Sequence, residues 1–145
     1  MKIVIQRAKN ASVLIDNKIN GSINNGLVIL VGFTYGDTEE DINYMVNKIV
    51  NLRIFDDENG VMNKSILDVD GSILSISQFT LYADTKKGRR PSYVNALNGV
   101  EATKLYDIFN QKLSEQIHTE TGIFGSEMQV TLTNDGPITI IIESR

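Results

Sequence analysis

The sequence predicts an α+β fold with a largely antiparallel sheet and two main helices. Two observations carry that expectation: segments of strand-like alternation come mostly in adjacent pairs, and two segments of helical period are inserted between them. Turns rich in Asn, Asp and Gly separate the pieces. A doubly wound fold needs strand and helix to alternate throughout, which this chain does not do.

Residues 2–8 alternate, with Ile3, Ile5 and then Arg7 set against Val4 and Gln6. Residues 12–15 and 18–23 flank Asp16-Asn17, a dipeptide that accepts the positive φ of a two-residue hairpin. Residues 26–33 are a continuous apolar run and read as a buried strand. Thr38 or Asp37 caps the first helix with Glu40 or Asp41 at the third position, and Ile42, Met45, Val46, Ile49 and Val50 line one of its faces. Residues 52–55 form a short strand stopped by the polar stretch 56–60, and the Asp70-Gly71 turn opens a longer strand over 72–81. The second helix begins near Asn98, where Glu101 completes a capping box, and carries Leu105, Ile108, Phe109 and Leu113 on one side. Two last strands, about 128–133 and 138–143, are joined by a turn of Asn134-Asp135-Gly136-Pro137.

At 145 residues and 41% apolar content the chain suits one domain, residues 1–145, with a core of its own. It has no cysteine, so thiolate chemistry, disulfides and cysteine metal sites are excluded. Its one histidine, His118, falls at the expected end of the second helix, where a ring interacts with the last carbonyls and the dipole. A Ser-His-acid triad and a zinc site both lack support, and no cofactor or metal is expected. The longest apolar run, near residues 27–33, is too short to span a bilayer, and residues 1–7 read as a strand and not a signal peptide. A soluble, cytoplasmic protein without a membrane partner is the expectation. Net charge is −4, yet Lys86, Lys87, Arg89 and Arg90 put four cations into five positions. That loop is either a solvated connection or a positive patch for an anionic partner.

Two segments remain that carry chemistry. Ser77-Gln78-Phe79-Thr80-Leu81-Tyr82-Ala83-Asp84 turns an apolar strand abruptly hydroxyl- and amide-rich. If it stays a strand, Ser77 and Phe79 share one face and Gln78 and Thr80 the other. Asn134-Asp135-Gly136-Pro137-Ile138-Thr139 holds one of the two prolines, and its dipeptide alone reads as trans.

Together these segments resemble the two signature motifs of the D-aminoacyl-tRNA deacylases. The resemblance extends to residues 1–7, 51–55, 87–92 and 121–125, and so over essentially the whole chain. It implies a deacylase fold with a barrel-like core and a homodimer that hydrolyses D-aminoacyl-tRNA, and glycine wrongly attached to tRNA. By resemblance, Ser77, Gln78, Phe79 and Thr80 form the catalytic segment, with backbone N–H groups near Phe79 facing the oxyanion. Gly136-Pro137 is then cis and enters the partner's pocket, where with Met128 it faces the substrate and rejects L side chains. Lys86, Lys87, Arg89 and Arg90 are the expected tRNA contacts. No base for Thr80 is visible, which ranks assistance by the substrate's own 2′-hydroxyl above a threonine nucleophile. The alternatives are a noncatalytic RNA-binding or partner-binding module on the same fold and a tRNA-editing relative of different chirality.

Overall fold

A computed structural model describes residues 1–144. β1 (Lys2–Ile15) and β2 (Lys18–Gly32) form a long antiparallel hairpin. Its turn residues Asp16 and Asn17 take φ of 50° and 61°, as expected of that dipeptide. The chain then passes through α1 (Glu39–Asn51) and a small hairpin of β3 (Phe55–Asp56) and β4 (Met62–Lys64) before laying β5 (Ser72–Ser77) parallel to β2. A 3-10 helix (Phe79–Tyr82) and α2 (Gly99–Ser114) lead to β6 (Thr119–Thr121), parallel to β5, and β7 (Gln129–Glu143) returns along the far side of β1. The sheet order is β6-β5-β2-β1-β7. The α+β expectation holds, with a sheet more mixed than expected. β5 and β6 each arrive after a helical crossover, which permits parallel pairing.

Several elements differ from the sequence reading. Residues 2–8 and 12–15 are one strand, and 18–23 and 26–32 another, because each supplies the other's ladder along its length, with one register shift between Val13 and Leu14. Residues 52–55 pair only at Phe55, against a β4 that carries no alternation of its own. β6 is equally short and polar, and β5 imposes its strand geometry. α2 ends at Ser114, so His118 lies beyond the helix and stands 3.6 Å from Glu120 instead of over the helix carbonyls.

Both helices start where expected. The Asp41 carboxylate accepts from the Thr38 N–H at 2.8 Å, and the Asn98 side chain accepts from the Glu101 N–H at 3.1 Å. Their apolar faces cover one side of the sheet, burying Ile42, Met45, Ile49, Phe109 and Leu113 against Ile3, Ile5, Leu27, Ile29 and Ile73. Each such side chain contributes ~1.5–3 kcal/mol by leaving water. The other side holds a second cluster of Ala8, Ala11, Val13, Ile23, Val28, Leu74 and Ile76, with Met128, Val130 and Leu132 packed on it half-buried. β7 and β5 lie three ladders apart, so the sheet must curl for Val130 and Ile76 to share a cluster. No described helix is long and apolar enough to cross a membrane.

The parallel half of the sheet depends on Gly26, whose φ is +151° and whose added Cβ would come within 1.8 Å of the Ser72 carbonyl oxygen. Gly26→Ala is expected to lower stability by more than ~3 kcal/mol, since backbone on both sides must shift. Gly60, at φ +73° with open space around it, serves as the control. Gly60→Ala meets only the left-handed backbone cost of about 1–2 kcal/mol. Urea unfolding of the two variants measures both, and equal losses would contradict the packing argument.

Candidate functional site

β5 loses its ladder at Ser77, opposite Val31, because β2 itself ends one residue later at Gly32. The Gln78 N–H still reaches the Val31 carbonyl at 2.7 Å. The chain then turns into the 3-10 helix instead of continuing as the expected strand to residue 81. Gly32 makes room: a Cβ there would lie 3.0 Å from the Gln78 carbonyl oxygen and 3.3 Å from Leu81 and Tyr82 side-chain carbons. The alternating faces expected of residues 77–80 are therefore absent. Gln78 and Thr80 are joined directly, the amide Nε2 donating to the Thr80 hydroxyl oxygen at 2.5 Å. The first acceptor of the turn, the Gln78 carbonyl, takes the Leu81 N–H at 3.3 Å. Ahead of it, the N–H groups of Phe79 and Thr80 have no acceptor among the described residues, as at any helix start.

Beside this turn is an open cleft of about 320 Å³ with Ile76, Ser77, Gln78 and Phe79 on one wall and residues 124–128 with Val130 on the other. Ser77, Gln78, Phe79 and Met128 thus come together; Thr80 lies outside the lining and reaches it through Gln78. Glu127, which the sequence reading did not single out, is the one carboxylate in that lining. Met128 is seated over Gly122, where a Cβ would stand 2.5 Å from its sulfur. Both walls hang on one carbonyl: Ser75 O accepts from the Tyr106 hydroxyl at 2.8 Å and from the Gly122 N–H at 3.0 Å. Burial pushes the Tyr106 hydroxyl above its ordinary value, which keeps it protonated as the donor.

Lys86, Lys87, Arg89 and Arg90 follow the 3-10 helix on a loop closed by reciprocal backbone bonds between Asp84 and Ser92, at 2.8 and 2.9 Å. All four are exposed, and none is in an ion pair among the described residues. Among the described residues no group of three or more His, Cys, Asp and Glu is placed to hold a metal ion.

Gly136 and Pro137 do not line this cleft. The hairpin turn expected at 134–137 is instead a bulge inside the single strand β7. Gln6 pairs with Thr139 and Ala8 with Asn134, so Arg7 alone faces the four residues 135–138. The Gly136-Pro137 bond is cis, as the resemblance implied. The bulge is tied across its base by Asn134 Nδ2 donating to the Ile138 carbonyl at 3.0 Å. Arg7 holds it from below. That buried guanidinium donates to the Ile54 carbonyl at 2.9 Å and to the Asp135 carbonyl at 3.3 Å, and it pairs with the carboxylates of Asp135 at 3.1 Å and Asp56 at 3.3 Å. Sequence reasoning treated Arg7 as one more alternating residue. The available signal was its phase: Arg7 continues the inward series of Ile3 and Ile5, where a charge needs partners.

The pattern of the family described as D-Tyr-tRNA(Tyr) deacylase matches residues 4–143. A protein of Bacillus cytotoxicus named D-aminoacyl-tRNA deacylase is 57% identical, with all of both chains covered. A solved structure titled c-Myc DNA Unwinding Element Binding Protein is 38% identical with a TM-score of 0.95, covering 100% of this chain and 99% of that one. Another, titled as a structural analysis of a probable eukaryotic D-amino acid tRNA deacylase, shares the fold at a TM-score of 0.84 with 16% identity and 97% of each chain covered. On the family pattern and the full-length identity, this chain belongs to the D-Tyr-tRNA(Tyr) deacylase family.

Proposed function

We propose that this protein hydrolyses the ester of D-aminoacyl-tRNA, and of glycine wrongly attached to tRNA, and spares L-aminoacyl-tRNA. The observation that carries the reading is the pair of unpartnered N–H groups at Phe79 and Thr80 beside a cleft of suitable size, in a chain of this family. Attack by water on the ester carbonyl puts negative charge on its oxygen; the carbon–oxygen bond to the ribose then breaks, leaving the free amino acid and a tRNA hydroxyl. A positioned oxyanion donor is worth ~2.7–4 kcal/mol in such a step. Two donors therefore supply a large part of what an already reactive ester needs. The water is oriented by the 2′-hydroxyl of the terminal ribose, because no histidine lines the cleft and Thr80 is engaged by Gln78.

Chiral selection falls to Gly136 and Pro137 of a second copy. In their own subunit Gly136 and Pro137 lie outside the cleft, and along β7 Gly136 is six residues from Val130, which lines it, roughly 20 Å at the usual rise of ~3.4 Å per residue. β7 is also an unpaired edge, with Ile141 63% exposed and Val130 and Leu132 only half-covered, a surface that a two-fold partner would bury. Backbone carbonyls held across the α-carbon reject every L side chain at once, whereas a pocket sorting side chains gains only ~1–3 kcal/mol per methylene. Glycine passes. A second reading, a nucleic-acid-binding module without chemistry, draws on the 86–90 loop and on the name of the 38%-identical structure.

D-Tyr-tRNA is expected to lose its ester at least about a thousandfold faster than L-Tyr-tRNA, a difference of ~4 kcal/mol. Ester loss followed with purified protein decides this, and equal rates, or none with either, would favour the binding module. On mechanism, Thr80→Ala and Glu127→Gln should each retain more than about a tenth of the activity, whereas a substrate whose terminal ribose lacks the 2′-hydroxyl should be nearly inert. A dead Thr80→Ala together with normal cleavage of the deoxy substrate would hand the reaction to the threonine. A dead Glu127→Gln would hand it to the carboxylate.

A further inference from the structure

Next to the cleft, the structure mounts an aromatic ring that the reaction above does not use. Tyr93 is 41% exposed and meets Phe79 edge-on, with ring centroids 5.0 Å apart and planes at 70°. Its backbone is fixed on both sides. Ser92 is locked to Asp84, the Tyr93 carbonyl accepts from the Ala96 N–H at 3.0 Å, and residues 95–97 are tied to the end of β2 through Thr34 Oγ1 to Asn95 O at 2.6 Å and Leu97 N to Phe33 O at 3.0 Å. The same Asp84–Ser92 closure encloses the four unpaired cations of residues 86–90, the last of them three residues before Tyr93. An exposed ring on a rigid mount, flanked by cations that have no carboxylate partners, is the combination that holds single-stranded nucleic acid: the ring stacks a base while the charges take phosphates.

We propose that Tyr93 stacks the base of the nucleotide that precedes the terminal adenosine, with the 86–90 loop holding the phosphates of that single-stranded end. The proposal rests on the deacylase reading, since a terminal aminoacyl-adenosine in the cleft puts its 5′ neighbour next to Phe79. The edge-on contact leaves a face of the Tyr93 ring for that base, and the ring hydroxyl has no protein partner among the described residues. Stacking of this kind tolerates any base, so the site measures the strandedness of the 3′ end and not its sequence.

The test compares binding of intact uncharged tRNA with binding of the same tRNA trimmed of its three 3′ nucleotides, by fluorescence anisotropy. Tyr93→Ala should weaken binding of intact tRNA about tenfold and change binding of trimmed tRNA less than about twofold, with the slope of affinity against salt unaltered. Tyr93→Trp should bind intact tRNA as the unmodified protein does, which separates a stacking ring from a merely structural one. Equal weakening on both RNAs, no weakening on either, or a Tyr93→Ala variant whose loss tracks dissociation of its subunits would overturn the assignment. Hydrolysis of D-tyrosyl-adenosine, which has no preceding nucleotide, reports on the deacylase reading independently; its failure there leaves the binding comparison to decide Tyr93.

Discussion

A buried guanidinium dictates the shape of β7. Arg7 continues the inward phase of Ile3 and Ile5, so the β1–β2 hairpin carries its charge under the sheet whether or not partners are available. Hydrogen bonds to a charged group contribute ~1.5–3 kcal/mol each where water is excluded, and leaving such a group unpaired costs more than pairing gains. Two chain segments supply the partners: the Ile54 carbonyl and Asp56 from one, and Asp135 through both carbonyl and carboxylate from the other. Asp135 can reach inward only if β7 leaves its ladder, and it does so for four residues. The bulge that holds Gly136-Pro137 lies where it does because Arg7 must be satisfied there. Gly136 also has to stay small, since its φ is +116° and an added Cβ would crowd Arg7 Nη2 at 3.1 Å.

The cleft arises from a similar failure of pairing at the other end of the sheet. β2 stops at Gly32, β5 has nothing to pair with beyond Ser77, and the resulting 3-10 turn leaves two N–H groups unmatched. Unmatched donors at a strand end are ordinarily a cost that water offsets; here they coincide with an opening lined by Ser77, Gln78 and Phe79. Tyr106 and Gly122, both bonded to the Ser75 carbonyl, keep the two walls at a fixed separation. Gly136 and Pro137 lie outside the lining of that cleft, although Val130 of the same strand is part of it.

How much was legible in the sequence follows from whether a feature is local. The Asp16-Asn17 turn, the Asp41 carboxylate on Thr38 and the Asn98 cap are set by residues within four positions of one another, and each is where the pattern put it. β4 and β6 are strands only because β3 and β5 pair with them, so nothing in residues 62–64 or 119–121 could announce them. The strand expected to run to residue 81 ends at Ser77 because of where β2 ends, a fact remote in sequence. The turn expected at 134–137 is a bulge because of Arg7, some 128 residues earlier. At the site, the motif residues Ser77, Gln78 and Phe79 were legible, whereas Glu127 and Tyr93 enter only through the loops that fold back beside them.

In the proposed arrangement a working site takes its donors from one subunit and its filter from the other. Mixing two individually defective chains tests it most directly. Gln78→Ala spoils the cleft and Gly136→Ala the bulge, yet a mixed dimer holds one site built from an intact cleft and an intact bulge. Refolding the two variants together should make about a quarter of all sites whole if subunits pair at random, read as D-Tyr-tRNA hydrolysis that spares L-Tyr-tRNA to a degree neither variant shows alone. No recovery above the separate variants, with mixed dimers verified by mass, would contradict the shared site and return Gly136 and Pro137 to a purely structural role.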